Sequence, residues 1–310
     1  MTNLHPQKII LLLALGICWL AGMGEASAQI RVDLAFRRGL YIRFEPVVAT
    51  VTITNLTGQD LELADDGTRA WFSFQIEQVA GDHLASERLV PPYNPNYSLN
   101  PVQIGAGQRI TRLINITPLY PISDYGVYRV KATVYVASLR KYFSSAPLNI
   151  EITEGRTIWE QKVGVPMTEP GGGTTRTVTL LSHRLPDHTQ LYLRIRDEEN
   201  GLVFCTHQIG RYVSFSPPQV ELDPDNSVNI LQNVAPKTFL YTHVALNGEV
   251  LERKIYNAAS RKPSLVRGPD GKVTVAGGIY VDPKAAEQQG TKVQPPSVTD
   301  RPVPLPTPAE

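Results

Sequence analysis

Alternation of apolar and polar side chains is the feature that most restricts this chain. From Tyr128 to Val136 the side chains of Tyr128, Val130, Ala132, Val134 and Val136 fall on one side, and those of Arg129, Lys131, Thr133 and Tyr135 on the other. Successive side chains of an extended backbone point to opposite faces, so this pattern predicts a half-buried strand; a helix would scatter the two cations around its circumference. Strands are also predicted over Val47–Thr57, Ala70–Ala80, Gln108–Leu119 and Ala146–Glu154. The 25 prolines and 23 glycines suit short strands joined by turns better than long helices.

At 310 residues the chain is long enough for one large or two ordinary domains. Its 30 lysines and arginines against 29 acids leave a net charge near zero, which argues against a nucleic-acid protein, since phosphate binding needs a concentrated basic face. The N-terminus reads as an export signal: Lys8, then the apolar run IILLLALGICWLAG, then Ala26 and Ala28 as the small residues of a cleavage site. Cleavage is expected after Ala28, making Gln29 the first mature residue. The run is too short for a stable transmembrane helix. Lipid anchoring at Cys18 is the weaker alternative, because Ile17 is large where a small residue should precede a lipidated cysteine. Removing residues 1–28 leaves Cys205 as the only cysteine, so the mature chain has no internal disulfide and depends on apolar burial.

The lead-in Asp124-Tyr125-Gly126-Val127-Tyr128-Arg129-Val130 resembles the D-x-G-x-Y-x-C entry to strand F of immunoglobulin-like domains. Tyr128 matches the corner tyrosine, and Val130 stands where the cysteine would be. The resemblance implies that Val47–Thr57 is strand B, Ala70–Ala80 strand C with Trp71 in the core, Gln108–Leu119 strand E and Ala146–Glu154 strand G. It covers residues 30–154. Without the disulfide it is more similar to modules of bacterial exported proteins than to antibody domains.

The second half predicts another antiparallel sheet domain. Leu191, Leu193 and Ile195 alternate with Tyr192, Arg194 and Arg196; DEENG then turns the chain, and LVFCTHQI returns it. A second hairpin turns at Asn247-Gly248, a pair suited to a type I′ turn, and a weaker third turns at Pro269-Asp270-Gly271. EPGGGTTR leads into a strand-like run rather than a helix, so it is a loop and not a phosphate cradle. The expected fold class is therefore all-β, with two antiparallel β-sandwich-like domains, the first immunoglobulin-like. The domain order is 1–28 signal peptide, 29–154 first sandwich, 155–283 second antiparallel β domain and 284–310 a disordered, proline-rich tail.

Chemistry is sparse in the sequence. No G-x-S-x-G, H-E-x-x-H or P-loop pattern occurs, no catalytic residue is assigned, and no cofactor is indicated. Cys205 and His207 would share a strand face, and with His183, His188 or His243 they offer metal-type ligands, but at spacings that fit no metal motif. DPDNSVN has the alternating oxygens of a calcium loop in Asp223, Asp225 and Ser227, yet lacks its glycine and its terminal glutamate, so it reads as a turn. The long loop Arg88–Pro101 carries the candidate ligand-binding residues Tyr93, Asn94, Asn96 and Tyr97: flat aromatic area with adaptable amides. The same residues also suit packing of the loop on its own domain. Asn55, Asn96 and Asn115 fit the glycosylation sequon. The expectation is a non-catalytic exported binding, adhesion or scaffold protein, periplasmic or secreted, with a protein or glycan of the cell envelope as partner. The alternatives are a carbohydrate-binding accessory protein and a metal-dependent enzyme built on His183, His207 and His243.

Overall fold

β-branched and aromatic residues set out in period two carry the chain into strands, and a computed structural model gives their arrangement for residues 30–79, 88–95, 97–168 and 171–282. The signal, its cleavage site, Asn96 and the tail lie outside these described residues. Among the described residues there are 22 strands, one 3-10 turn at Ala137–Leu139 and no α-helix. No helix among them is long and apolar enough to cross a membrane.

The N-terminal half contains β1 (Ile30–Phe36), β2 (Leu40–Ile42), β3 (Val48–Asn55), β4 (Leu61–Leu63), β5 (Phe72–Val79), β6 (Arg88–Leu89), β7 (Val102–Ile104), β8 (Arg109–Asn115), β9 (Gly126–Val136), β10 (Lys141–Ser144) and β11 (Leu148–Thr153). One sheet has the order β1-β3-β8, and the other β2-β11-β9-β5-β6 with β10 also on β9. All these pairings are antiparallel except β2 with β11, which is parallel. Val32, Val51, Ile53 and Ile114 of the first sheet share one core with Phe74, Ile76, Tyr128, Val130 and Ile150 of the second. Trp71 is 1% exposed in that core and donates its indole N–H to the Leu99 carbonyl at 2.9 Å. Tyr128 is equally buried, and its hydroxyl donates to the Asp124 carbonyl at 2.9 Å. Its alternating partners Val130, Ala132, Val134 and Val136 are buried with it. Tyr135, on the opposite face, is buried as well: β10 pairs alongside β9 with Tyr142 directly opposite, the two rings tilted with centroids 4.8 Å apart, and Arg69 donates to the Tyr135 hydroxyl.

The C-terminal half contains β12 (Arg156–Gly164), β13 (Thr175–Arg184), β14 (Thr189–Asp197), β15 (Val203–Arg211), β16 (Gln219–Leu222), β17 (Val228–Ala235), β18 (Thr238–Val244), β19 (Val250–Asn257), β20 (Ser264–Arg267), β21 (Val273–Ala276) and β22 (Ile279–Val281). The sheets run β12-β13-β14-β15 and β16-β17-β18-β19-β22, with β20-β21 as a separate hairpin. Val178, Leu180, Leu193 and Ile195 meet Val228, Ile230 and Val244 in a second core. The far face of the five-stranded sheet is covered too: Leu231, Phe239 and Tyr241 pack with Leu265 and Val275 of the β20-β21 hairpin. Burial on both faces explains why β17 is buried continuously from Val228 to Gln232 rather than at alternate positions, with Asn229 and Gln232 buried among its apolar residues. The turn at Asn247-Gly248 differs from the type I′ expectation. Only Gly248 enters the left-handed region (φ 90), its N–H bonds the Ala245 carbonyl, and the β18–β19 ladder slips by one residue. Asn247 instead uses its side-chain oxygen to accept from the Glu249 N–H, which holds a wider turn.

Candidate functional site at the seam between the halves

The alternation in β13 and β14 puts Val178, Leu180, Leu191, Leu193 and Ile195 into the second core, so Leu181, His183, Tyr192 and Arg194 must face the other way. That second face is not left to solvent. Short β2 and the turn that follows it bring Ile42, Phe44 and Glu45 onto it. Ile42, Leu181 and Tyr192 form a small buried cluster. Gly155 lies in the tightest part: a Cβ there would stand 2.7 Å from Ile42 Cδ1 and 3.1 Å from Leu181 Cβ.

Charged groups surround this apolar contact. Glu45 is buried, pairs with Arg38, and accepts from the Ile42 N–H at 3.3 Å. Burial pushes the Glu45 carboxyl up from its ordinary value, against the pull of Arg38. Burial works against the Arg38 cation as well, yet Glu45 beside it holds that pKa above its ordinary value. Tyr192, buried next to both, has its phenol pushed up, first by desolvation and then by Glu45. Arg194 reaches across the seam to the Arg43 carbonyl at 2.6 Å and the Glu154 carboxylate at 3.1 Å. Burial lowers the Arg194 pKa, and Glu154 opposes that. Two guanidinium groups stand over the Phe44 ring, Arg43 at 4.6 Å and Arg194 at 5.3 Å from its centre. Its φ of 64 is costly for an aromatic residue, about 1–3 kcal/mol, so these contacts hold it in place.

A groove of about 590 Å³ opens beside the seam. Phe44, Pro46 and Thr117 line it from one half, and Phe204, Cys205, His207 and Asn247 from the other. Junctions of this kind are where small ligands or partner side chains are commonly held. The walls offer apolar and hydrogen-bonding contact.

The histidines named from the sequence are not brought together. His183 Nε2 meets Thr153 Oγ1 at 2.7 Å, His207 Nε2 meets the Gly248 carbonyl at 2.5 Å, and His243 Nε2 meets Ser227 Oγ at 2.7 Å. His188 pairs with its neighbour Asp187. Among the described residues no group of three His, Cys, Asp or Glu side chains is placed to hold a metal ion. Asp223, Asp225 and Ser227, read from the sequence as a turn, do form one, and His243, which the sequence did not join to them, completes a tight polar knot. Ser227 Oγ bonds Asp225 at 2.8 Å, while Asp223 takes the Val273 N–H at 2.6 Å and lies 3.2 Å from His243 Nε2. The same ring nitrogen faces both Ser227 and Asp223, whereas a serine relay needs them on opposite nitrogens. The knot fastens the β16–β17 turn to β18 and β21.

In the long loop, Tyr93 is 63% exposed while its N–H bonds the Leu119 carbonyl at 2.8 Å. Asn94 is exposed and its carbonyl accepts the Tyr97 N–H at 3.1 Å; Tyr97 is half-buried, and desolvation raises its phenol pKa. Two of the four loop residues therefore face outward, Tyr97 packs inward, and Asn96 lies outside the described residues. Asn55, a sequon residue, is fully buried and bonds three backbone carbonyls. Compared with known proteins, the chain matches no family model, no curated protein and no solved structure.

Proposed function

We propose that this chain is an exported, non-catalytic binding, adhesion or scaffold protein of the cell envelope, in which two β-sandwich modules act as one rigid unit. The seam carries this reading. A buried Arg38–Glu45 pair, a cross-seam Arg194 and a strained Phe44 make a costly junction, which suits a protein that must hold two modules at a fixed angle. The first module is immunoglobulin-like. Strands B and E lie on one sheet and C, F and G on the other, and the Tyr128 corner bond and the buried Trp71 both support the assignment. Export rests on residues 1–28, and the mature protein is periplasmic or secreted.

The partner is a protein or glycan of the envelope. Affinity capture with the mature chain, from an envelope extract of its own source, tests the reading. A saturable partner is expected, and capture no different from that of the heat-unfolded chain overturns it. A glycan-binding reading is favoured by one observation, the outward ring of Tyr93 on a loop pinned through its own backbone. Glycan-array binding that is lost in Tyr93→Ala supports it, and binding unchanged in both Tyr93→Ala and Tyr97→Ala removes that site.

A further inference from the structure

His183 is buried where the two halves meet, 4% exposed on β13. Its Nε2 lies 2.7 Å from Thr153 Oγ1, and the Thr153 hydroxyl is also 3.4 Å from the Tyr41 carbonyl. A hydroxyl that donates to that carbonyl accepts from the ring, which assigns the proton to Nε2. Nδ1 is then an acceptor, buried and without a hydrogen-bond partner among the described residues. The ring stands edge-on to Tyr192, with centroids 6.0 Å apart. The charged and titratable groups packed around this corner are Arg38, Tyr41 and Glu45 from the β2 side, Glu154 from the β11–β12 connection, and Tyr192 and Arg194 from β14. Both anions are already engaged, Glu45 by Arg38 and Glu154 by Arg194. A proton added at Nδ1 would create a second buried cation close to Arg38 with no carboxylate of its own.

We propose that His183 makes the seam acid-sensitive: protonation of its buried imidazole releases the β13–β14 face from residues 38–45, parts the Ile42, Leu181 and Tyr192 contact and widens the groove beside it. Burial, and then Arg38, hold the His183 pKa below its ordinary value, with Glu154 opposing. A lowered histidine pKa means that the open form binds the proton more readily. The closed seam therefore has its full stability above the ordinary histidine value of about 6.5 and loses it as pH falls below that. One proton raises the opening constant by at most about tenfold per pH unit in that window.

Hydrogen exchange of amides 40–45 and 181–192, corrected for intrinsic pH dependence, tests this at about pH 7.5 and about pH 5. In the wild-type chain these amides are expected to lose protection at acid pH by up to about tenfold per unit, while amides 128–134 in the first core do not. His183→Gln keeps a donor for Thr153 and cannot titrate, so its seam protection is expected not to fall at acid pH. An equal acid response in both proteins overturns the proposal. Should the variant not fold, the NMR titration of the wild-type imidazoles decides. His183 titrating below the ordinary value supports the clasp, and His183 titrating at or above that value overturns it.

Discussion

Replacing Arg38 with methionine should leave the Glu45 carboxylate buried with no counter-charge. The Glu45 side chain has no exposed area, and that of Arg38 is 18% exposed, so little water can replace the lost partner. Breaking one side of a buried pair costs about 3–5 kcal/mol. Glu45→Gln alone retains an acceptor for the Ile42 N–H and a neutral polar neighbour for Arg38, so it should cost less, about 1–3 kcal/mol. The double variant removes the uncompensated charge altogether and should recover at least about 1 kcal/mol of the Arg38→Met loss. The sign of the pH dependence follows from the carboxyl. Burial already pushes it up, and without Arg38 only hydrogen bonding from the Ile42 N–H and Tyr192 opposes that. An acid with a raised folded-state pKa stabilises the fold when protonated and loses that contribution as pH rises through its folded value, so the Arg38→Met deficit should shrink between pH 7 and about pH 5. Removing Arg38 also relieves His183, so the comparison belongs in the His183→Gln background, where only the carboxyl responds. Urea denaturation gives the free energies, and calorimetry shows whether the two halves still melt together. Equal stabilities of Arg38→Met and the double variant, or a deficit as large at pH 5 as at pH 7, would refute the reasoning.

Other outcomes follow from single contacts. Tyr128→Phe removes the bond to the Asp124 carbonyl and should cost about 1 kcal/mol in urea denaturation without altering the circular dichroism spectrum. Gly155→Ala should destabilise the seam, because its Cβ would press on Ile42 and Leu181; calorimetry should show the melting of the two halves separating. Tyr93→Ala should leave stability within about 0.5 kcal/mol, since the ring is exposed and the loop is held by its backbone, so any loss of partner capture reports binding.

The strands were legible because they depend on local pattern, while the burial of Trp71 and the Tyr128 bond were expected from the resemblance of a short local motif. Period two sorts side chains onto faces within one segment, and the corner bond spans only from Tyr128 back to Asp124. What covers a face is a different matter. Tyr192 and Arg194 alternate with core leucines just as solvent-facing residues do, yet Tyr192 is fully buried, because residues about 150 positions earlier fold onto it. No signal within β14 announces that partner. The same holds for Ser227 and His243, 16 residues apart and joined through neighbouring strands, and for Phe44, whose backbone strain exists only because Arg43 and Arg194 hold its ring. One signal was available and went unused: the Arg37-Arg38 and Arg43-Phe44-Glu45 cluster lies beside an apolar strand, a poor place for so much charge unless something pairs with it.

That charge also accounts for how a small apolar contact can fix an angle. Ile42, Leu181 and Tyr192 alone form a patch of three side chains, and apolar contact has no direction, so such a patch would allow one half to slide over the other. Hydrogen bonds to charged groups do have direction. Arg194 must reach the Arg43 carbonyl and Glu154 together, and His183 must meet Thr153, so only one relative orientation satisfies them all. These polar contacts therefore contribute less to the strength of the junction than to its uniqueness. Each one lost should broaden the range of angles between the halves before it separates them. Small-angle scattering of Arg194→Met should accordingly show a wider distribution of maximum dimension at unchanged secondary structure, and a distribution identical to wild type would count against orientation by charge.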